Sequence, residues 1–260
     1  MKLYLNYVRI LLRSHMQYRA SFFMVLIGQL IYPITLFAGV YLLVSRFGEI
    51  GGWSIPELTF SFGALLISYS IAEAFARGFD LFSNMVRTGE FDRVLVRPRG
   101  TILQVLGSRF ELNRIGKLVT SLCMYIWAVF NLGIVWSLDK IVVAFFMVVA
   151  GIFVFSGVFI LAAVWSFWTI SGNELLNILT DGTREMARFP LDVYKSKIIL
   201  IFIFIIPVAS ANFLPLMYIT GKAVENQFLY ALSPMLGIVF ILPCLLLWQV
   251  GVRHYKSTGS

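Results

Sequence analysis

Charge is scarce in this chain. Of its 260 residues 13% are charged, against roughly 25% in a soluble domain, while 59% are hydrophobic and 16% aromatic. The length alone allows one or two soluble domains. The apolar runs exclude them and make the bilayer the solvent. Cysteine is nearly absent: Cys123 and Cys244 both fall inside apolar runs and read as small core residues, not as a disulfide. The two histidines, His15 and His254, lie far apart and flank apolar segments. They read as interfacial residues, and nothing matches a metal-ligand spacing. No catalytic constellation is present. A phosphate-cradling GxxxxGK[ST] loop is missing too, because Gly116-Lys117 and Gly221-Lys222 lack both the upstream glycine and the following Ser/Thr.

The apolar runs are also almost free of ionisable groups, which ion-coupled transporters and pumps place at mid-depth. Glu73 alone is a candidate. It stands four residues before Arg77, the favourable orientation for a helical ion pair, and reads as structural.

What is there is a series of membrane spans. Residues 22–45 carry no charge and form the first, with Pro33 inside it. Residues 58–76 form the second and 118–138 the third. Residues 141–173 hold 33 positions without a charge, about 50 Å as one helix, and read as a fourth span projecting beyond the bilayer. A fifth crossing begins near Val193 and breaks at Pro207. Residues 208–221 then dip back as a re-entrant segment, a form that survives at depth only when packed in protein or lining a cavity. Residues 227–252, with Pro234 and Pro243, form the last span. Before all of these, residues 1–21 lack the apolar core of a signal peptide. They place Lys2, Asn6, Arg9, Arg13 and Gln17 on one face and Tyr4, Val8, Leu11 and Leu12 on another, the pattern of a helix lying on the membrane surface.

Six spans put both ends on one side. Of the 21 Lys and Arg residues, all but Arg46, Lys140 and Lys222 fall in residues 1–21, 77–117, 174–197 or the C-terminal stretch. The positive-inside rule makes those segments, and both termini, cytoplasmic. The net charge of +8 therefore reports topology. Basic residues spread over span-flanking segments argue against a nucleic-acid partner. Trp53 and Trp136 would belong to an outer aromatic belt, and Trp165, Trp168 and Trp248 to an inner one.

Residues 77–100, RGFDLFSNMVRTGEFDRVLVRPRG, stand out from the rest. Phe79, Phe82 and Val86 make a helical stripe, Gly89 interrupts it, and a second short helix follows. Its Phe91, Val94 and Leu95 share one face, its Glu90, Arg93 and Arg97 the other, and Pro98 stops it. Two readings stay open on physical grounds: a helix shaped to be gripped by something in the water, and a basic loop lying on headgroups.

Taken with Gly89-Glu90-Phe91-Asp92, Leu95 and Arg97-Pro98, and then Phe189-Pro190-Leu191, Ile206-Pro207 and Leu214-Pro215, the chain resembles the ABC-2 type permeases over essentially its whole length. It is most similar to the small ones that work with a separate ATPase and often with a second, similar permease. The resemblance implies one all-α transmembrane domain over residues 1–260 with no ATPase site, ATP and Mg being held by partner chains. Two ATPase subunits and a second permease, identical or similar, complete the transporter in a bacterial cytoplasmic membrane, and ATP-driven closure expels substrate outward. Residues 1–21 become a connecting helix. The coupling helix is formed by Gly89, Glu90, Phe91, Asp92, Val94, Leu95, Arg97 and Pro98. Phe91, Val94 and Leu95 are expected to bury against the ATPase, with Glu90, Asp92 and Arg97 at the rim. Residues 207–226 form the extracellular re-entrant region, with Pro207, Phe213 and Pro215 at its gate. Phe213-Leu214-Pro215 departs from the aromatic that such proteins often carry directly before the proline. Charge-free aromatic spans suit a hydrophobic or amphiphilic substrate. A membrane scaffold without transport activity is the alternative of another class.

Overall fold

The computed structural model describes residues 10, 16–47, 51–169, 180–185, 203, 205–223 and 226–257. No β-strand occurs among them. A 3-10 turn at Met16–Tyr18 leads into α1 (Arg19–Phe47), which runs through Pro33. Next come α2 (Ile55–Asp80), α3 (Phe82–Arg87), α4 (Glu90–Leu95) and α5 (Thr101–Ser108), then α6 (Ile115–Asn131) and α7 (Leu138–Trp165). After a π-helical turn at Ala209–Phe213 follow α8 (Leu214–Thr220), α9 (Gln227–Leu232), α10 (Pro234–Val239) and α11 (Ile241–His254).

The axis of the molecule is α2. Its start is fixed locally: the Ser54 amide donates to Glu57 Oε2 at 2.8 Å, and Pro56 occupies the first turn, where a missing N–H costs nothing. It packs most extensively against α6 and α7. Lipid tails are as apolar as the side chains, so helices here associate through close packing, and small residues permit it. Ser68 Oγ donates to the Val148 carbonyl of α7 at 2.9 Å, and Gly151 faces it so closely that a Cβ there would lie 2.5 Å from Ser68 Oγ. Likewise a Cβ on Gly116 of α6 would lie 2.7 Å from the Leu26 carbonyl of α1. By contrast α1 leaves Met24, Ile27 and Ile31 exposed, and α11 leaves Leu242 and Leu246 exposed, the faces that meet lipid.

Among the described residues four helices are long and apolar enough to cross a membrane: Arg19–Arg46, Ile55–Arg87, Leu138–Trp165 and Gln227–His254, the last taking in α9 to α11. They fall on four of the expected spans. The third expected span is shorter than its sequence suggested. Helix α6 has 17 residues, about 25 Å, and the chain leaves it through Gly133 at φ 64°, with Trp136 Nε1 folding back to the Val129 carbonyl at 3.2 Å. The fourth is shorter too. Helix α7 stops at Trp165 and gives way to a turn at 166–168, so the uncharged run 141–173 is not one helix. Most of residues 1–21, most of 174–197 and the crossing expected near Val193 lie outside the described residues.

Two tryptophan and cysteine assignments change. Trp248 is not in a belt but is buried in the core, and Trp53 is buried as well. Cys244 is buried, whereas Cys123 is exposed on α6.

Candidate docking site

The polar segment after α2 folds as two short helices turned against each other at Gly89. That residue has φ 70° and ψ 7°, a left-handed conformation that glycine adopts without a Cβ penalty. Its amide donates to the Val86 carbonyl at 3.2 Å, ending α3, and its carbonyl accepts from the Asp92 amide at 3.2 Å, starting α4. Gln104 of α5 holds the far end, Nε2 donating to the carbonyls of Val94 at 3.1 Å and Arg99 at 3.0 Å.

The inner face of this segment is an aromatic cluster. Phe91 is 0% exposed, and its ring centroid lies 4.9 Å from Phe82, 5.0 Å from Tyr255, 5.7 Å from Phe167 and 6.2 Å from Trp248. Trp248 in turn sits 4.9 Å from Phe79 and from Phe82 and 5.3 Å from Phe167. Most of these pairs are edge-to-face, the geometry that ring quadrupoles favour. Trp248 Nε1 finds Thr101 Oγ1 at 3.2 Å. The cluster ties α3 and α4 to the end of α2, to the turn after α7 and to α11.

This corrects the expected roles on α4. Phe91 and Val94 are buried inside their own chain and offer nothing to a partner. The helical stripe was real, but a neighbouring part of the same chain already covers it. Leu95, by contrast, is 41% exposed, and Val96, which the stripe did not single out, is 82% exposed. Glu90, Arg97 and Pro98 are exposed. Asp92 is half-buried and accepts from Ser257 Oγ at 2.7 Å. The surface therefore consists of Glu90, Arg93, Leu95, Val96, Arg97 and Pro98.

Beneath the segment lies an ionic network. Glu73 of α2 is held by Lys117 Nζ at 2.8 Å, Arg114 Nη2 at 3.1 Å and Arg77 Nη1 at 3.6 Å. Arg77 also pairs with Asp80, and Arg114 with Glu111 Oε2 at 2.6 Å. The Glu73–Arg77 pair foreseen from spacing exists, but Lys117 and Arg114, beyond α5, hold the carboxylate more closely. Arg184 reaches Tyr69 Oη at 3.3 Å, joining residues 180–185 to the same end of α2.

Of the residues expected at the gate, Phe213 packs near the other end of α2. Pro207 lies in a turn, its carbonyl accepting from the Ala211 amide at 3.1 Å and Ser210 Oγ at 2.7 Å. Pro215 opens α8 and is buried. Phe213 is buried against Trp53, ring centroids 6.0 Å apart. Two polar contacts tie this element down. Lys222 Nζ meets Glu57 Oε2 and the Gly52 carbonyl, each at 2.8 Å, and lies 4.0 Å over the Trp53 ring. Tyr218 Oη donates to Asp139 Oδ2 at 2.6 Å. Sequence spacing gave no signal for either contact, since the partners are far apart along the chain.

The pattern of a family described as ABC-2 family transporter protein matches residues 30–259. No curated protein and no solved structure matches the chain. The matched stretch takes in the aromatic-anchored segment at residues 82–98 and the helices that could cross a membrane, apart from the first part of α1. This chain belongs to the ABC-2 family of transporter proteins: it is a multi-pass membrane protein, the permease component of an ABC transporter that works with ABC ATPase subunits.

Proposed function

We propose that this permease pairs with a second permease, identical or similar, and with two ATPase subunits that hold ATP and Mg, to move a hydrophobic or amphiphilic substrate outward. The segment from Gly89 to Pro98 is its coupling helix, and both termini lie with that segment in the cytoplasm of a bacterial cell. The observation that carries this reading is the aromatic cluster around Phe91 and Trp248. A topology-setting loop has no need of a rigid mount. Here six rings fix a short surface helix to α2, α11 and the turn after α7, so a displacement of α4 reaches several membrane helices together. The charge asymmetry supports the orientation. Residues 207–226, broken at Pro207 and clasped by Lys222 and Tyr218, serve as the outer re-entrant element, and residues 1–21 as the connecting helix.

The test is co-expression with the ATPase. The permease should co-purify with it and change its ATP turnover, and Leu95→Asp with Val96→Asp should abolish both while leaving the permease inserted. A cysteine introduced at Thr88 should stay unlabelled by an impermeant thiol reagent in intact cells, and one at Gly51 should label. An ATPase whose turnover ignores the permease would favour a membrane scaffold. Labelling at Thr88 would reverse the orientation.

A further inference from the structure

The exposed side of the docking segment has a definite charge. Two adjoining clefts run between α3, α4 and α5. One, of about 200 Å³, is lined by Glu90, Arg93 and Arg97, with Met85 and Ser108 behind them. The other, of about 150 Å³, shares Met85, Glu90 and Ser108 and adds Arg109. The three arginines are exposed, and none forms an ion pair with a described residue. One carboxylate, Glu90, faces them. Beside the clefts stand Leu95 and Val96, the latter among the most exposed apolar residues described. Desolvating either would favour a partner that supplies an apolar floor.

We infer that the ATPase presents to this surface an acidic cleft, with Asp or Glu side chains for Arg93, Arg97 and Arg109 and an apolar pocket for Leu95 and Val96. The inference rests on the coupling reading above and adds the chemistry of the partner. Guanidinium groups pair with carboxylates through two parallel hydrogen bonds, which fixes orientation as well as affinity. Anionic headgroups are the competing acceptor. A helix that lies on lipid offers its whole apolar face. Helix α4 cannot, because Phe91 and Val94 are already buried in the chain and only two apolar side chains remain.

The experiment measures affinity between the full-length permease and its co-expressed ATPase, in nanodiscs of phosphatidylcholine alone and with phosphatidylglycerol added. Affinity should fall as NaCl is raised, because exposed charges are screened. Arg93→Glu with Arg97→Glu should weaken it by about tenfold or more and flatten the salt dependence, equally in both lipids. Leu95→Ser with Val96→Ser should weaken it without changing the salt dependence. If the apolar pair matters and the arginine reversals do not, the acidic cleft is wrong while the coupling reading stands. If neither pair matters, both are wrong. If the arginines matter only with phosphatidylglycerol present, the surface is a membrane contact and the inference falls.

Discussion

Glu73 Oε2 and Lys117 Nζ, from residues 44 apart in sequence, meet at 2.8 Å with both side chains only 5% exposed. The pair joins α2 to α6 within the ionic network that Arg77 and Arg114 extend. Removing one member of a buried pair leaves the other charged and uncompensated, at a cost of roughly 3–5 kcal/mol, whereas replacing both with apolar groups is often neutral. Glu73→Gln should therefore lower the thermal midpoint in detergent sharply. Glu73→Gln combined with Lys117→Met should recover most of the loss, with a remainder because Arg114 and Arg77 also lean on Glu73. A double variant no better than the single one would show that the pair is not what Glu73 does there.

Phe91 and Leu95 sit one turn apart on α4 and should fail differently. Truncating a fully buried phenylalanine costs about 3–5 kcal/mol, so Phe91→Ala should reduce the folded yield even with no ATPase present. Leu95→Ala should cost far less, since that residue is 41% exposed and Phe91 is 0% exposed. Size-exclusion profiles and thermal midpoints of the two variants, expressed alone, settle it. Equal behaviour would contradict the cluster.

Close approach at Gly151 gives a third expectation. A Cβ there meets the Ser68 hydroxyl, which is already committed to carbonyls on both helices. Gly151→Ala should force α2 and α7 apart and lower the midpoint by an amount typical of overpacking, about 1–3 kcal/mol. Gly151→Ala in a Ser68→Gly background should be milder, because Ser68 Oγ and Cβ, 2.5 and 2.7 Å from the added carbon, are then both gone.

The clasp at Lys222 makes a fourth. Its ammonium is shared between Glu57, the Gly52 carbonyl and the Trp53 ring. Lys222→Ala should speed hydrogen exchange of the amides in 209–220 several-fold without changing exchange in α2. Lys222→Arg should retain part of the protection, because a guanidinium can still sit over an indole face. Unchanged exchange in the alanine variant would mean that packing around Phe213, not the clasp, holds the element.

Four of the expected spans were legible because a long uncharged run has few alternatives in water or lipid. Their ends were not. Hydropathy continues through Leu132, Ile134 and Val135, so nothing in composition marks the end of α6, where Gly133 takes a positive φ. Phe91 and Val94 were legible as part of an apolar face, but periodicity says that a face is covered and never by what. Trp248 and Tyr255, which do the covering, lie far downstream. The same blindness hid Lys117 and Arg114 from Glu73, and Lys222 from Glu57. Spacing rules reach one helical turn, and these contacts join different helices. Residues 89–98 were legible as a short amphipathic helix because they are charged between apolar runs. Their orientation became visible only in three dimensions, where Phe91 is buried and Val96 is an exposed apolar side chain.

The cluster around Phe91 also has a consequence for biosynthesis. Phe79, Phe82 and Phe91 leave the ribosome early, whereas Trp248 lies within the last membrane helix described and Tyr255 directly after it. Until α11 is made and inserted, the apolar face of α4 has no cover from Trp248 or Tyr255. A partly synthesised permease therefore cannot hold α4 in its final pose until translation has passed Tyr255.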